Sequence, residues 1–256
     1  MLHPNQLSWI EDDLVKARTM LERFTPALLP FSSGFDCGAV CRQLFYIGGD
    51  YYDFLSHPNQ SSVFAIGDVS GKGISAALML ANLRAVLHDE MKRDRVNLTG
   101  VLSKLNRLVY EASPPGSFIT FFYAQYDQHR SRLHYVNAGH NPPLLFRSLS
   151  KNKKPKELSV GGLPLGAMLN PPMAFEQGTE NLRPGDVLVA YTDGITEITN
   201  RSEEEWGVHR LIDTIQRHSD LPSQEMVKQV FNAIDRYAAG TDPIDDMTLI
   251  ILKASL

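Results

Sequence analysis

The sequence predicts an α+β fold in which two antiparallel sheets pack face to face and helix pairs cover the outside. Three observations indicate it: short β-rich runs fill the chain after residue 30, helical runs interrupt them in two consecutive pairs, and strands and helices do not alternate regularly. Regular alternation would favour a doubly wound parallel sheet instead. The 256 residues, with 43% hydrophobic content, suffice for a large core.

The predicted strands are short runs rich in β-branched and aromatic residues, separated by Gly, Asn and Pro. Because there are eight of them, they imply either two sheets or a closed barrel. They span residues 39–46, 63–69, 118–126, 133–137, 144–146, 173–177, 187–191 and 248–253.

Four later segments carry apolar residues at helical spacing and form the two consecutive pairs. They span residues 74–91, 98–112, 208–217 and 223–238. No internal repeat and no linker follows residue 30. We therefore expect one catalytic-sized domain over residues 31–256, preceded by a separate leading segment over residues 1–30.

The leading segment carries an apolar stripe in a four-three alternation, which predicts a helix over residues 10–28. The stripe consists of Ile10, Leu14, Ala17, Leu21, Phe24 and Leu28. Pro26 is expected to end or bend this helix. The repeat is too short to establish a coiled coil, so two readings stay open: a helix docked on its own domain, and a dimer seam or signalling linker.

Composition argues against several classes of function. A net charge of −4, with no Lys/Arg-rich run longer than residues 151–156, argues against nucleic-acid binding. No apolar run approaches a membrane span, and the N-terminus lacks the pattern of a signal peptide. Cys37 and Cys41 lack the second ligand pair of a structural zinc site and are expected to be reduced core residues. A cytoplasmic protein without membrane or nucleic-acid partners fits best.

Aspartates at the edges of apolar runs are the strongest chemical signal. Asp68 and Asp193 each end a predicted strand, whereas Asp245 and Asp246 precede the last strand. The end of one strand lies beside the start of its antiparallel neighbour, so all three sites can share one rim of the sandwich. Carboxylates that converge there would repel each other unless a cation lay between them.

Asp50 and Asp53 are three residues apart, so in a regular strand their side chains point to opposite faces. Asp50 is the preferred ligand, because Gly48 and Gly49 let the backbone come close to a bound group. Asp53 is kept as an outer candidate that would support the ligands.

Oxygen ligands without a His or Cys cluster select Mg²⁺ or Mn²⁺. Two such ions, roughly 3.5 to 4 Å apart, would activate a bridging water and hold a phosphoryl group for in-line displacement. Hydrolysis of a phosphate ester is therefore the predicted chemistry. The alternative for any single aspartate is an N-cap or turn residue.

Three other residues have open roles. The run 67–73 lacks the spacing of a nucleotide-binding P-loop, so its Lys72 either reaches a substrate phosphate or is a solvated loop lysine. His140 is either a proton donor or, as we expect, a structural turn histidine. Arg42 either holds phosphate or forms a surface salt bridge.

Six motifs, in order, resemble those of the metal-dependent Ser/Thr protein phosphatases (type 2C, or PPM), in their SpoIIE-like, RsbU-like bacterial branch. They are GGDYYDF, GDVSGKG, NAGHNPPLL, GGLPLG, PGDVLVAYTDGITE and DDMTLIIL. The resemblance covers nearly the whole chain. It implies a four-layer αββα sandwich with a binuclear Mn²⁺/Mg²⁺ centre at one edge, and a regulatory or linker role for the leading helix.

Carried over by motif, the resemblance also implies a ligand set. Asp50 and Asp68 would be shared ligands, the Val69 carbonyl would contribute, and Asp193 with Asp245 would complete the other metal. Asp246 is the adjacent alternative to Asp245. Larger type 2C enzymes commonly have a His where this chain has Ser70, so the resemblance identifies no acid for the leaving group.

The branch removes phosphate from a serine or threonine of an anti-anti-sigma factor, a STAS-domain protein, in a partner-switching pathway of sigma-factor regulation. A sensor or activator protein often acts through the leading helix. The resemblance thus implies a protein phosphatase with a phosphorylated STAS protein as substrate. Two alternatives remain: a catalytically silent binding module of the same fold, and a small-molecule phosphatase.

Overall fold

A computed structural model describes most of the chain, in the ranges 4–24, 34–44, 46–56, 61–93, 97–147, 154–171 and 175–255. Within those ranges the helices are α1 Pro4–Glu22, α2 Ile74–Glu90, α3 Leu98–Ala112, α4 Asp193–Glu197, α5 Gly207–Arg217 and α6 Ser223–Ala238. The strands are β1 Phe35–Arg42, β2 Asp50–Ser56, β3 Ser61–Val69, β4 Ile119–Asp127, β5 Arg132–Ala138, β6 Leu144–Phe146, β7 Lys156–Glu157, β8 Gly161–Gly162, β9 Gly178–Asn181, β10 Val187–Tyr191 and β11 Met247–Ala254.

The strands form two sheets. One has the order β1-β11-β10-β6-β7, and the other has the order β2-β3-β4-β5-β8, with β9 also pairing with β5. Neighbouring strands are antiparallel except for the short β5–β8 pair. The prediction of two antiparallel sheets is therefore confirmed, and a closed barrel is not what the described strands form.

Three separate apolar cores show that the sheets and helices make four layers. One core lies between the α2–α3 pair and the second sheet, the next between the two sheets, and the third between the first sheet and the α5–α6 pair. β4 illustrates why: Phe121 and Tyr123 face the first core, whereas Phe122 and Ala124 face the second. A strand buried on both faces reads as a continuous apolar run.

Several predicted boundaries need correction. The strand predicted at 39–46 is β1, which begins earlier, at Phe35, and ends at Arg42, because its whole length pairs with β11. The strand predicted at 173–177 is wrong for residues 175–177; residues 173 and 174 lie outside the described residues. Phe175 fills the core under α3 instead, and the strand of this region is β9.

The leading helix is present as α1, but it ends at Glu22, and Pro26 and Leu28 lie outside the described residues. Along the described side chains from residue 11 to residue 24, the stripe positions are half-buried and every other side chain is exposed. The stripe therefore faces the domain near its C-terminal end, where the Arg84 guanidinium lies 4.8 Å from the Phe24 ring centre. The division into residues 1–30 and 31–256 stays a prediction.

Among the described helices, none combines the length and the apolar character that crossing a bilayer requires. Cys37 and Cys41 are both half-buried free thiols, and burial raises each pKa to about 12.

Candidate active site

Asp50 and Asp68 face each other across β2 and β3. They are directly paired in the antiparallel register, so their side chains leave the sheet on the same face. Asp50 Oδ2 accepts hydrogen bonds from Thr192 Oγ1 at 2.8 Å and from Thr248 Oγ1 at 2.6 Å. Two hydroxyls from the other sheet thus hold the Asp50 carboxylate in place.

Asp193 and Asp245 come to the same rim from the first sheet. Asp193 begins α4 directly after β10, and Asp245 precedes β11, the antiparallel partner of β10. A Cβ on Gly194 would lie 2.0 Å from the Asp246 carbonyl oxygen, so glycine is needed for α4 to approach this loop. The arrangement of strand ends that the sequence predicts is therefore present.

The aspartates influence one another's ionisation. Burial, and then the Asp68 charge, raises the pKa of Asp50 well above its ordinary value. Burial, followed by Asp193 and Asp245, raises the pKa of Asp68 to about 7, while Lys72 opposes the change. Burial and Asp245 also raise the pKa of Asp193. Burial and mutual repulsion thus disfavour the ionised carboxylates, and a cation between them would relieve the repulsion.

Oxygen atoms also converge beside Gly49. A Cβ there would lie 3.1 Å from the Gly71 carbonyl oxygen, 3.2 Å from the Val69 carbonyl oxygen and 3.4 Å from Asp68 Oδ1. These donors are all oxygen, which suits a hard divalent cation such as Mg²⁺ or Mn²⁺. The chemistry of these donors therefore fits the metal centre that the sequence predicts, although no three of the described His, Cys, Asp or Glu side chains already have the spacing of a metal site.

Asp246 has a different set of partners. Its side chain is buried; Oδ1 accepts from the Leu44 amide at 2.7 Å, and Oδ2 accepts from the Gly49 amide at 2.6 Å and the Asp50 amide at 3.4 Å. Both oxygens therefore hold the loop that leads into β2. The carboxylate accepts hydrogen bonds from backbone amides that would otherwise be buried without partners.

Asp53 lies on the opposite face of β2 from Asp50, as the odd spacing predicts. It accepts a hydrogen bond from Tyr51 Oη at 2.9 Å, and it contacts His88 Nε2 at 2.7 Å and Arg84 Nε at 3.4 Å on α2. Its carboxylate joins β2 to α2 and does not reach the rim of the other aspartates.

His140 is a buried turn residue. Its amide donates to Asn137 Oδ1 at 2.7 Å, and its Nδ1 contacts Thr120 Oγ1 at 2.9 Å. Burial lowers its pKa to about 3, so the ring is neutral near neutral pH and is poorly suited to donate a proton. Arg42 pairs with Asp235 at 2.6 Å, which makes it a link between β1 and α6.

The sequence alone does not single out Thr192 and Thr248, the two hydroxyl donors to Asp50. Each lies within three residues of a motif aspartate, at the end or start of a strand. That proximity to a motif aspartate is the one sequence feature that points to these two threonines. Ser70 has a backbone partner of its own, since its Oγ accepts from the Phe118 amide at 2.8 Å.

Comparisons with known proteins find a matching family and several relatives. A family model described as stage II sporulation protein E (SpoIIE) matches residues 58–255. Phosphoserine phosphatase RsbU of Bacillus subtilis is 29% identical over 246 residues, covering 95% of this chain and 70% of RsbU. Phosphoserine phosphatase RsbP of the same organism is 24% identical over 210 residues, covering 80% of this chain and 49% of RsbP.

Solved structures show the same fold at lower identity. The SiaA-PP2C domain of Pseudomonas aeruginosa superposes with a TM-score of 0.81 at 17% identity, over 99% of each chain. RsbX in complex with magnesium superposes with a TM-score of 0.62 at 16% identity, over 89% of this chain and 99% of RsbX. At these identities the likeness establishes the fold alone.

Proposed function

The chain belongs to the SpoIIE family of PP2C-type phosphatase domains, and on that premise we propose that it is a Mn²⁺- or Mg²⁺-dependent protein serine/threonine phosphatase. The observation that carries the proposal is the convergence of Asp50, Asp68, Asp193 and Asp245 at one rim of the sandwich. RsbU and RsbP, both named phosphoserine phosphatases, support phosphoserine as the group that is hydrolysed.

The ligands would be Asp50, Asp68, the Val69 carbonyl, Asp193 and Asp245. Two divalent ions, when bound, would supply an activated water and neutralise charge on the phosphoryl group. Thr192 and Thr248 orient Asp50, and Asp246 holds the preceding loop. The magnesium in RsbX supports the choice of a divalent cation.

The surface beside the carboxylates supports a protein as substrate. Ile74 and Leu78, in the first turns of α2, are 57% and 63% exposed, and Ile244, next to Asp245, is 54% exposed. Exposed apolar side chains around an open site suit contact with another protein, whereas a small-molecule site usually encloses most of its ligand. We propose a phosphorylated STAS-domain protein as the substrate, in a partner-switching pathway.

The test is release of phosphate from a phosphorylated STAS protein by the metal-loaded enzyme and by Asp68→Asn. We expect the substitution to reduce the rate by at least about 10²-fold, because it removes a charge worth several kcal/mol to the metal-stabilised transition state. Asp213→Asn, at an exposed position of α5, is the matched control and should retain the wild-type rate.

Three outcomes would contradict the proposal. Phosphate release by Asp68→Asn at the wild-type rate would contradict the assignment of Asp68 to the active site. Faster hydrolysis of free phosphoserine than of the phosphoprotein would indicate a small-molecule phosphatase. Tight binding of phosphorylated STAS proteins without turnover at saturating Mn²⁺ would indicate a silent binding module.

A further inference from the structure

Lys72 lies in the loop between β3 and α2, and its ammonium group contacts the loop that precedes β11. Nζ lies 2.8 Å from Asp245 Oδ2 and donates a hydrogen bond to the Ile244 carbonyl oxygen at 2.5 Å. A lysine therefore holds the carboxylate that the proposed function assigns to a metal ion.

Both oxygens of Asp245 are engaged in this arrangement. Oδ1 accepts a hydrogen bond from the Asp246 amide at 2.9 Å, and Oδ2 carries the ion pair with Lys72. A divalent cation would bind a carboxylate oxygen at about 2.0–2.6 Å, and two cations on one oxygen repel each other. The lysine pair and a metal bond at Oδ2 are therefore alternative states of Asp245.

The ion pair lies within the acidic rim, because the Asp245 charge adds to the effect of burial in raising the pKa of both Asp68 and Asp193. Among the described residues, no group of three or more His, Cys, Asp or Glu side chains already has the spacing of a metal site. The charge of Lys72 also lowers the pKa of Asp68 and of Asp193, against the larger effects that raise them. The lysine thus supplies part of the positive charge that this acidic rim needs.

The loop around Lys72 is open to solvent. Gly71 and Gly73 flank it at φ values of 107° and 79°, which glycine adopts without strain, and an added Cβ would meet nothing within 4 Å at either position. The Lys72 side chain is 41% exposed. The ammonium therefore has solvent to enter when it is displaced.

Resting on the proposed metal-dependent function, we propose that Lys72 is a tethered cation that occupies Asp245 in the metal-free protein and competes with the divalent ion for it. Lys72 then has two effects of opposite sign. It weakens metal binding, and it stabilises the metal-free fold against repulsion among the carboxylates. A purely structural lysine would favour both the fold and the metal site.

The test compares Lys72→Met with the wild type by calorimetric titration of the metal-free protein with Mn²⁺, together with its melting temperature in chelator. We expect Lys72→Met to bind Mn²⁺ about three- to tenfold more tightly, the scale of one ion pair in an acidic setting. We expect its metal-free melting temperature to fall by about 1–3 °C.

Two further variants serve as controls. One tests whether the charge at position 72, not the side-chain shape, sets the Mn²⁺ affinity, and the other tests whether loss of any one surface charge has the same effect. Lys72→Arg keeps the charge and should stay within about threefold of the wild-type affinity. Lys228→Met removes an exposed lysine of α6 that pairs with Glu225, and it should change neither the Mn²⁺ affinity nor the site.

Unchanged or weaker Mn²⁺ binding by Lys72→Met overturns the inference. Equal tightening in Lys72→Arg also overturns it, because charge would then not be the cause. These failures leave the proposed function standing if the wild type binds Mn²⁺. Absence of Mn²⁺ binding by the wild type itself would overturn the metal centre and the inference together.

Discussion

Asp50 is a buried carboxylate that two threonine hydroxyls hold from the opposite sheet. The hydrogen bonds from Thr192 and Thr248 lower the pKa of Asp50 against the larger effects of burial and the Asp68 charge, which raise it. They therefore favour the ionised form that a metal requires. Thr192 Oγ1 also accepts from the Thr248 amide at 2.9 Å, so the two residues form one unit behind Asp50.

Replacing Thr248 by Val removes a hydroxyl donor and keeps the side-chain shape. We expect Thr248→Val to lower Mn²⁺ affinity or phosphatase activity about 10- to 100-fold, the usual effect of losing an outer partner of a metal ligand. Titration of activity with Mn²⁺ measures it. Thr214→Val, which removes a buried hydroxyl bonded to the Arg210 carbonyl oxygen on α5, is the control. Equal behaviour of the two variants would show that the Asp50 contact is unimportant.

Candidate site residues can be predicted from the sequence where they end or precede an apolar run. Hydrogen-bond partners that are distant in sequence cannot. The apolar runs alone predict which aspartates lie at strand ends: Asp50, Asp68, Asp193 and Asp245. They do not predict the partners of Asp246, because its oxygens accept from amides 202 and 197 residues away. Only the folded chain brings those amides to it.

Among the elements, α1, α2 and β2 form a connected set beside the carboxylates. The Phe24 ring after α1 contacts Arg84 of α2, and Arg84 pairs with Asp53 of β2, the strand that begins with Asp50. Leu21 and Phe24 also line a small cavity with Asp50 and Leu80. The end of α1 is thus part of the wall behind the site.

Truncation of the Phe24 ring tests that contact. We expect Phe24→Ala to lower the free energy of unfolding by about 1–2 kcal/mol through lost burial and the lost cation–π contact. It should also speed hydrogen exchange in α1. Met20→Ala, at a position of α1 that is 64% exposed, is the control. Indistinguishable exchange in the two variants would show that α1 is not held there.

The elements that the sequence predicts at their observed bounds carry strong apolar patterns, periodic in the helices and continuous in the strands. Residues 98–112 and 223–238 are helices at the predicted bounds, as 144–146 and 187–191 are strands. β2 was not predicted as a strand because two aspartates and three aromatic residues obscure its alternation. Phe175 shows the opposite case: its apolar character suggests a strand, but the residue is buried by packing under α3.

For the whole molecule, the two sheets bring acidic residues from both halves of the chain to one rim, at a cost in charge repulsion. Asp50 and Asp68 come from the second sheet, whereas Asp193 and Asp245 flank strands of the first. The three apolar cores hold this arrangement in place. Stability without metal therefore depends on protons at the rim.

The pH dependence follows from Asp68, whose pKa rises from 3.8 to about 7 in the folded protein. Protonation of Asp68 favours folding, so this stabilisation is complete below the unfolded pKa and is lost as pH rises through about 7. We expect the melting temperature of the metal-free protein to fall between about pH 4 and pH 7 and to level off above that, and Mn²⁺ to reverse the fall. Scanning calorimetry measures it, with Asp68→Asn as control. A pH-independent wild type, or an equal fall in Asp68→Asn, would contradict the account.

The most direct measurement is the anomalous difference density of crystals grown with Mn²⁺. The account predicts manganese at the rim, bound by Asp50, Asp68, Asp193 and Asp245, with Asp246 still on the backbone amides and Lys72 withdrawn from Asp245. Manganese absent from this rim, or bound there by Asp246 in place of Asp245, would contradict it.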